Sequence, residues 1–138
     1  MDKRTILKLT NEELRIKAAE LDGWENVVAH WWSEGDLKGI YGNLPGYQLC
    51  DVPDYTNICP AMTDLFESVY GRGKIKDVAW VLGTVENGRD CAHACLMWKS
   101  KSFTKFRPLQ VSVTCPRGQM ARAITLCWVC AMLGVSDE

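Results

Sequence analysis

The chain has 138 residues, of which 47% are apolar and 24% are charged, and its formal net charge is -1. This is the composition of an ordinary globular domain, and it excludes a long disordered tract. Because its 16 basic side chains are balanced by 17 acidic ones, the chain lacks the positive field that stable nucleic-acid binding requires. We expect one domain, residues 1–138, without a stable nucleic-acid partner.

The sequence also bears on the compartment. No apolar run reaches the roughly 20 residues that a membrane span needs, and no apolar segment of a signal peptide follows the N-terminus. The seven cysteines are an odd number, which favours reduced thiols that pack as small apolar groups over a disulfide framework. We expect a protein of the cytoplasm with no membrane partner.

The first predicted element is a helix over residues 11–21. Thr10 and Glu13 have the spacing of a capping box, in which each side chain bonds the backbone amide of the other residue. Apolar residues recur at helical spacing at Leu14, Ala18 and Leu21. Gly23 is placed to end the helix in a left-handed conformation.

Periodicity fails in the next stretch, residues 24–50, which is rich in glycine and in aromatic residues. Its aromatic residues are Trp24, Trp31, Trp32, Tyr41 and Tyr47. Structureless loops of this length are uncommon in compact domains. We therefore expect an aromatic insertion that contains a short helical turn near Glu25–Trp32, serves a function, or does both.

A second helix is predicted after Asp54, with Thr56 or Asn57 as its cap, and Gly71–Gly73 ends it. Three antiparallel strands are predicted next: Asp77–Val85, Ala92–Ser100 and Phe103–Val113. The Asn87-Gly88 dipeptide predicts a hairpin turn, and Pro108 indicates an edge or a bulge in the third strand.

Pro116 suits the first turn of a final helix. Because a sheet buries one face against helices, the whole order predicts an α+β fold. Its expected form is an α/β/α layered sandwich of order α-α-β-β-β-α, with a three- or four-stranded antiparallel sheet and the aromatic insertion.

Three short motifs carry a family resemblance. They are Val52–Asn57 with Met62 after it, Gln119–Ala123 at the start of the last helix, and Gly23–Trp24. This pattern resembles the phage ABA-sandwich domain family, and the resemblance spans nearly the whole chain. It implies an α/β/α layered fold and a phage or prophage gene, and it implies no activity.

Metal binding and catalysis have weaker sequence support than packing. Cys91, His93 and Cys95 alternate along one strand face, and Cys127 and Cys130 lie one helical turn apart, so a zinc site is one interpretation. Buried packing explains the same cysteines, and we expect no metal and no cofactor. An enzyme would need His30 or His93 as its base, and no family-type catalytic motif surrounds either residue.

Ligand binding is the favoured hypothesis. The candidate residues are aromatic rings that could stack on a base and arginines that could hold a phosphate: Trp24, Trp31, Trp32, Tyr41, Tyr55, Arg107, Arg117 and Arg122. Two alternatives stay open. The tryptophans could fill a satellite cluster of the core, and Arg122 could pair with Asp54.

These residues predict a non-catalytic phage accessory protein that sequesters a small nucleotide-derived signalling molecule and so blunts a host defence. The example ligands are a cyclic ADP-ribose isomer and a cyclic oligonucleotide. The alternative is a protein-interaction module in which exposed aromatic residues anchor a host protein or build a homo-oligomer. A nucleotide-processing enzyme is the third hypothesis.

Overall fold

A computed structural model describes residues 1–57, 62–63, 75–100 and 109–137. Within this part, the helices are α1 (Lys3–Leu7), α2 (Asn11–Leu21) and α3 (Met120–Met132). The strands are β1 (Glu25–Trp31), β2 (Leu37–Asn43), β3 (Cys50–Asp51), β4 (Ile75–Glu86), β5 (Arg89–Ser100) and β6 (Leu109–Cys115). They form two antiparallel three-stranded sheets, ordered β1-β2-β3 and β4-β5-β6, so the α+β class is confirmed.

The helix predicted over residues 11–21 is confirmed together with its ends. The Thr10 hydroxyl accepts from the Glu13 amide at 3.2 Å, and a Glu13 carboxylate oxygen accepts from the Thr10 amide at 3.0 Å. Gly23 follows the helix with a φ of 101°, a left-handed conformation that glycine adopts without strain. The backbone therefore turns sharply into β1.

The helical turn predicted near Glu25–Trp32 is wrong, because this stretch is strand β1 and pairs with β2. The reason is tertiary. Val27 and Ala29 pack against the core while Val28 and His30 face solvent, and this alternation is the strand period of two. In the sequence this alternation covers only five residues of β1. In β2 it is interrupted by Gly39 and Gly42, which have no side chain.

The second sheet agrees with the predicted meander. Strands Asp77–Val85 and Ala92–Ser100 correspond to β4 and β5, and Asn87 and Gly88 join them with φ values of 53° and 75°. Two positive φ values are the geometry of a type I′ hairpin turn. The third strand is confirmed from Leu109 onward, whereas residues 103–108, including Pro108, lie outside the described residues.

The predictions for the last helix and for the second helix have different outcomes. Pro116 is not in the first turn of the last helix. Pro116 opens a turn in which its carbonyl accepts from the Gln119 amide at 3.1 Å. Helix α3 begins at the next residue, Met120. Most of the predicted second helix lies outside the described residues, although Met62 and Thr63 are helical.

Helix α3 is the centre of the core, and all residues from Ala123 to Met132 are buried. It contacts β5 and β6 on one side and α1 and α2 on others. Thr125, whose side chain is polar and fully buried, donates to the Tyr55 carbonyl at 2.7 Å. That bond joins α3 to the segment after β3. No helix in the described part of the chain has both the length and the apolar character needed to cross a bilayer.

The indole of Trp128 on α3 provides a test of this core. Its ring is fully buried, and its Nε1 has no hydrogen-bond partner among the described residues. An unsatisfied buried donor costs about 1–3 kcal/mol. Trp128→Phe removes the donor and part of the volume, so we expect a loss of less than ~1 kcal/mol in the free energy of unfolding, whereas Trp128→Ala loses about 3–5 kcal/mol. Urea denaturation measures both, and equal losses for the two variants would contradict this account.

Candidate functional site

The outer face of the first sheet follows from its register. Ala29 pairs with Ile40, which is fully buried, so these two residues share the inner face. Val28 pairs with Tyr41 and His30 pairs with Gly39, and these residues share the outer face. Val28 is 53% exposed. The sheet therefore covers the core with one face and turns an aromatic and apolar face to solvent.

Two tryptophans occupy the tip of the β1-β2 hairpin. Trp31 is 55% exposed and Trp32 is 54% exposed. The tip is ordered by backbone bonds, since the Trp32 amide donates to the Asp36 carbonyl at 2.7 Å. Lys38 Nζ lies 4.9 Å from the centre of the Trp32 ring, a cation–π contact. A hydrogen-bonded turn thus presents two indoles to solvent, with a positive charge beside one of them.

Tyr41 extends this surface along the strand. Its ring meets the His30 ring edge to face, with centroids 5.1 Å apart and an angle of 68° between the planes. Its hydroxyl lies over Gly39, only 2.8 Å from where a Cβ would stand at that position. The missing side chain at Gly39 is what lets the tyrosine ring lie across the strand.

A polar hollow of about 270 Å³ lies between the first turns of α2 and α3. Its lining residues are mostly hydrogen-bonding groups: Asn11, Glu12, Asp54, Thr56, Asn57, Gly118, Gln119 and Arg122. Gln119, the N-cap of α3, makes no side-chain cap bond. The amides of an uncapped helix start are donors for an acceptor group, and the side chains around them supply both donors and acceptors.

The Asp54 carboxylate is the best-held acidic group of the hollow. Thr56 donates to it from its amide at 3.0 Å and from its hydroxyl at 2.6 Å, and Asn57 Nδ2 donates at 2.6 Å. Burial acts to raise the pKa of Asp54, but these hydrogen bonds and the charge of Arg15 outweigh burial and lower it. Asp54 therefore carries its charge at neutral pH.

The predicted arginines are placed differently from one another. Arg122 lines the hollow, and its guanidinium donates to Asn11 Oδ1 at 2.7 Å and to the Leu9 carbonyl at 2.6 Å. Its suggested pairing with Asp54 stays a prediction. The side chain of Arg117 is 81% exposed and lies 3.6 Å from Asp90. Arg107 lies outside the described residues.

Two predicted aromatic residues belong to the core. Tyr55 is fully buried and its hydroxyl donates to Asp22 Oδ2 at 2.9 Å, so its ring has no surface to offer a ligand. Trp24 is partly buried against the core cluster. Of the predicted aromatic set, Trp31, Trp32 and Tyr41 belong to the β1-β2 hairpin.

The chain that leaves β3 runs in the direction of the hairpin tip before it forms one wall of the hollow. Strands β2 and β3 are antiparallel, and the chain leaves β3 through Val52, whose amide bonds the Ile40 carbonyl at 2.9 Å. It therefore continues toward the Leu37 end of β2, which is the tip end. Arg15 on α2 fixes this path by donating to the carbonyls of Val52 and Pro53.

Sequence reasoning missed several contributors. Lys38 contacts the Trp32 ring and His30 contacts the Tyr41 ring. Both pairs are separated along the chain and meet only because of the β1-β2 hairpin, which the sequence did not predict. Asn11 and Asn57 line the hollow, and only their positions beside helix caps could have indicated it. The motif Val52–Asn57, which carries part of the family resemblance, ends in residues that form one wall of the hollow.

Cys127 and His93 have hydrogen-bond partners away from the hollow and the hairpin. Cys127 Sγ donates to the Ala94 carbonyl at 3.3 Å, and burial raises the pKa of Cys127 and raises that of Cys130 to about 11. His93 Nδ1 lies 2.9 Å from the Thr114 hydroxyl, which itself donates to Glu86 at 2.6 Å. Among the described residues, no three His, Cys, Asp or Glu side chains converge to hold a metal ion.

No family model, curated protein or solved structure matches this chain. The resemblance to the phage ABA-sandwich domain therefore stays a prediction.

The lowered pKa of Asp54 makes the loop beside the hollow sensitive to acid. A carboxyl with a lowered folded-state pKa adds stability above its unfolded pKa of about 3.9 and loses it as the pH falls further. We expect Asp54→Ala to lower the free energy of unfolding at pH 7 by about 1–3 kcal/mol, because hydrogen bonds to a charged group are lost. Below about pH 4, the difference from the unsubstituted protein should shrink.

Denaturation at several pH values measures this difference. Asp51→Ala, which removes an exposed carboxylate on β3, is the matched control and should have little effect. An Asp54→Ala loss that is the same at pH 3 and pH 7 would show that the charge of Asp54 does not stabilise the fold.

Proposed function

We propose that this chain is a non-catalytic binding protein that captures a small nucleotide-type molecule. Its base stacks on the indoles of Trp31 and Trp32, and its polar groups reach the hollow beside Arg122. One observation carries the proposal: two tryptophans more than half exposed stand on a hydrogen-bonded hairpin, and the chain that leaves the same sheet toward the hairpin tip goes on to form one wall of a polar hollow.

The exposed indoles support the base-stacking part. Leaving two large apolar rings in water gives up the hydrophobic stabilisation that their burial would bring, about 1.5–3 kcal/mol for a large apolar side chain. Stacking of a base on an aromatic ring contributes about 1–3 kcal/mol. Lys38 beside Trp32 adds a positive charge close to where an anionic ligand would approach.

The composition of the hollow supports the polar part. The described bonds of Arg122 use two of the five guanidinium donors, which leaves donors for a phosphate oxygen. The uncapped start of α3 favours the same negative charge. Glu12 and Asp54 would repel a phosphate on their side of the hollow, where they suit the hydroxyls of a ribose instead.

The proposed biological role is sequestration. With a fold that is an α/β/α layered sandwich and a gene of phage origin, the protein would act in the host cytoplasm and remove a defence signal such as a cyclic ADP-ribose isomer or a cyclic oligonucleotide. The motif resemblance and the binding surface support this role. No enzymatic step and no cofactor is part of the proposal.

Binding to a panel of cyclic ADP-ribose isomers, ADP-ribose and cyclic oligonucleotides tests the proposal by thermal shift and calorimetry. We expect at least one compound to stabilise the protein. Trp31→Ala and Trp32→Ala should each weaken the affinity for that compound by about 5- to 150-fold, since one stacking contact is lost. Stability should change by less than ~1 kcal/mol because both rings are more than half exposed.

Tyr47→Ala is the matched control, because Tyr47 is 74% exposed and belongs to the same segment but lies outside the hairpin. It should leave the affinity unchanged. If no compound in the panel binds, or if the two tryptophan variants bind as the unsubstituted protein does, capture at this surface is wrong.

A second function is favoured by a separate observation. Residues 24–50 expose further apolar side chains besides the two indoles, namely Val28, Leu44, Tyr47 and Leu49. Such a surface suits a protein partner. If the chain is an interaction module, Tyr47→Ala and Leu49→Ala weaken retention of a host protein in a pull-down, and the nucleotide panel gives no stabilisation.

A further inference from the structure

The outer face of the second sheet carries a row of nitrogen and sulfur side chains on its central strand. Alternate residues of β5 face the core and are at most 2% exposed: Ala92, Ala94, Leu96 and Trp98. The residues between them face the other way, and each is partly exposed: Cys91, His93, Cys95 and Met97. Buried packing, which the sequence suggested for the cysteines, therefore does not describe Cys91 and Cys95.

A chain of hydrogen bonds orients the imidazole of His93. A threonine hydroxyl has a single proton, and Thr114 donates its proton to Glu86 at 2.6 Å. Thr114 can then only accept in its other contact, so His93 Nδ1, which lies 2.9 Å away, carries the ring proton and donates it. His93 Nε2 keeps its lone pair. Metal-binding histidines have this arrangement, in which an outer partner holds one ring nitrogen and the metal binds the other.

A β-bulge brings Glu86 into this chain of bonds. The register of β4 and β5 shifts between Gly83 and Val85, and the extra residue turns Glu86 onto the face of His93. Because Glu86 pairs with Arg89, its side chain reaches Thr114 from the Cys91 end of β5. The Glu86 side chain therefore lies on the Cys91 side of His93, and the side toward Cys95 is left to other groups.

The free ring nitrogen has space beside it. Gly83 is the β4 residue that pairs with His93, and a Cβ at Gly83 would meet no atom of the described residues within 4 Å. Since Nδ1 points to Thr114 on β6, Nε2 points away from β6. The described residues make no hydrogen bond to Nε2, and the His93 side chain is 23% exposed. An ion from solvent can therefore reach this nitrogen.

We propose that His93 Nε2 and Cys95 Sγ bind a monovalent copper ion. Alternate residues on one strand face stand about 6.5 Å apart, and metal bonds of about 2.0–2.3 Å let one ion join their side chains. Thiolate sulfur is a soft ligand that selects Cu(I), and imidazole also suits copper. The Cys95 thiol releases its proton to solvent as the Cu–S bond forms, and the copper stays in the +1 state.

The number of donors favours copper over zinc at this place. Structural zinc sites use four protein ligands, whereas Cu(I) is satisfied by two or three. The described part of the chain brings no three His, Cys, Asp or Glu side chains together around one point. A pair of donors on one strand is thus enough for Cu(I) and too few for a structural zinc ion. This site does not rest on the proposed nucleotide ligand, because it lies on the second sheet.

Titration of the reduced protein with Cu(I) against a coloured chelator, without oxygen, measures the affinity. One tightly bound ion per chain is expected. Thr114→Val keeps the shape of the side chain but removes the hydroxyl that orients His93, so it should weaken binding by about 10- to 100-fold. His93→Ala and Cys95→Ser each remove a ligand and should weaken binding by more than Thr114→Val does. Should Cys95→Ser fail to fold, Cys95→Ala takes its place.

Two matched controls use the same residue types elsewhere. His30→Ala removes the other histidine, which packs on Tyr41, and Cys50→Ser removes an exposed thiol of the first sheet. Both should bind the tight ion as the unsubstituted protein does. X-ray absorption at the copper edge should show nitrogen and sulfur donors together. Absence of a tight ion, a first shell of sulfur alone, equal losses in the controls, or unchanged binding in Thr114→Val would each overturn the proposal.

Discussion

The candidate binding surface on the β1-β2 hairpin depends on the two-residue period of a β-strand. Once Val27, Ala29 and Ile40 are buried against the core, the residues between them must face the other way. Val28, His30 and Tyr41 are therefore placed outside by geometry, whatever their affinity for water. The strands then carry Trp31 and Trp32 to the end of a hairpin, where both stay more than half exposed. Turning this sheet over to hide Val28, His30 and Tyr41 would expose the core residues between them.

The core itself is organised around α3. A helix that is buried on nearly all sides needs neighbours on all sides, and the second sheet, α1 and α2 supply them. The segment after β3 is joined to this assembly through Thr125, Arg15 and Asp22, which bond the backbone or side chain of Val52–Tyr55. The polar hollow exists because this segment is held between two helix starts and not folded over them.

Much of the fold follows from local rules in the sequence. The capping box of Thr10 and Glu13, the left-handed Gly23 and the Asn87-Gly88 turn are each short-range features, and each was predicted correctly. The hairpin at residues 25–43 was not, because its pattern is short, interrupted by glycines and bulged between Glu25 and Val28. Packing against the core, including α2, and pairing with β3 decide its conformation.

The candidate site was predictable in part for the same reason. Exposed tryptophans are recognisable as an excess over what a core of this size uses, and this singled out Trp31 and Trp32. Trp24 and Tyr55 are equally aromatic in the sequence, but both pack in or against the core. The turn after α2 directs Trp24 there, and the hydrogen bond to Asp22 holds Tyr55 there. The hollow combines residues 11–12, 54–57 and 118–122, and no local pattern links three such distant segments.

Fluorine NMR of protein labelled with 5-fluorotryptophan tests the central claim most directly, with each indole assigned by its tryptophan-to-phenylalanine variant. We expect large solvent-isotope shifts for Trp31 and Trp32 and small ones for Trp98 and Trp128, which are buried. We further expect a bound nucleotide to move the first two signals and to leave the last two in place. Signals of Trp31 and Trp32 that do not change with the solvent isotope, or that stay fixed while a nucleotide binds, would contradict capture at this surface.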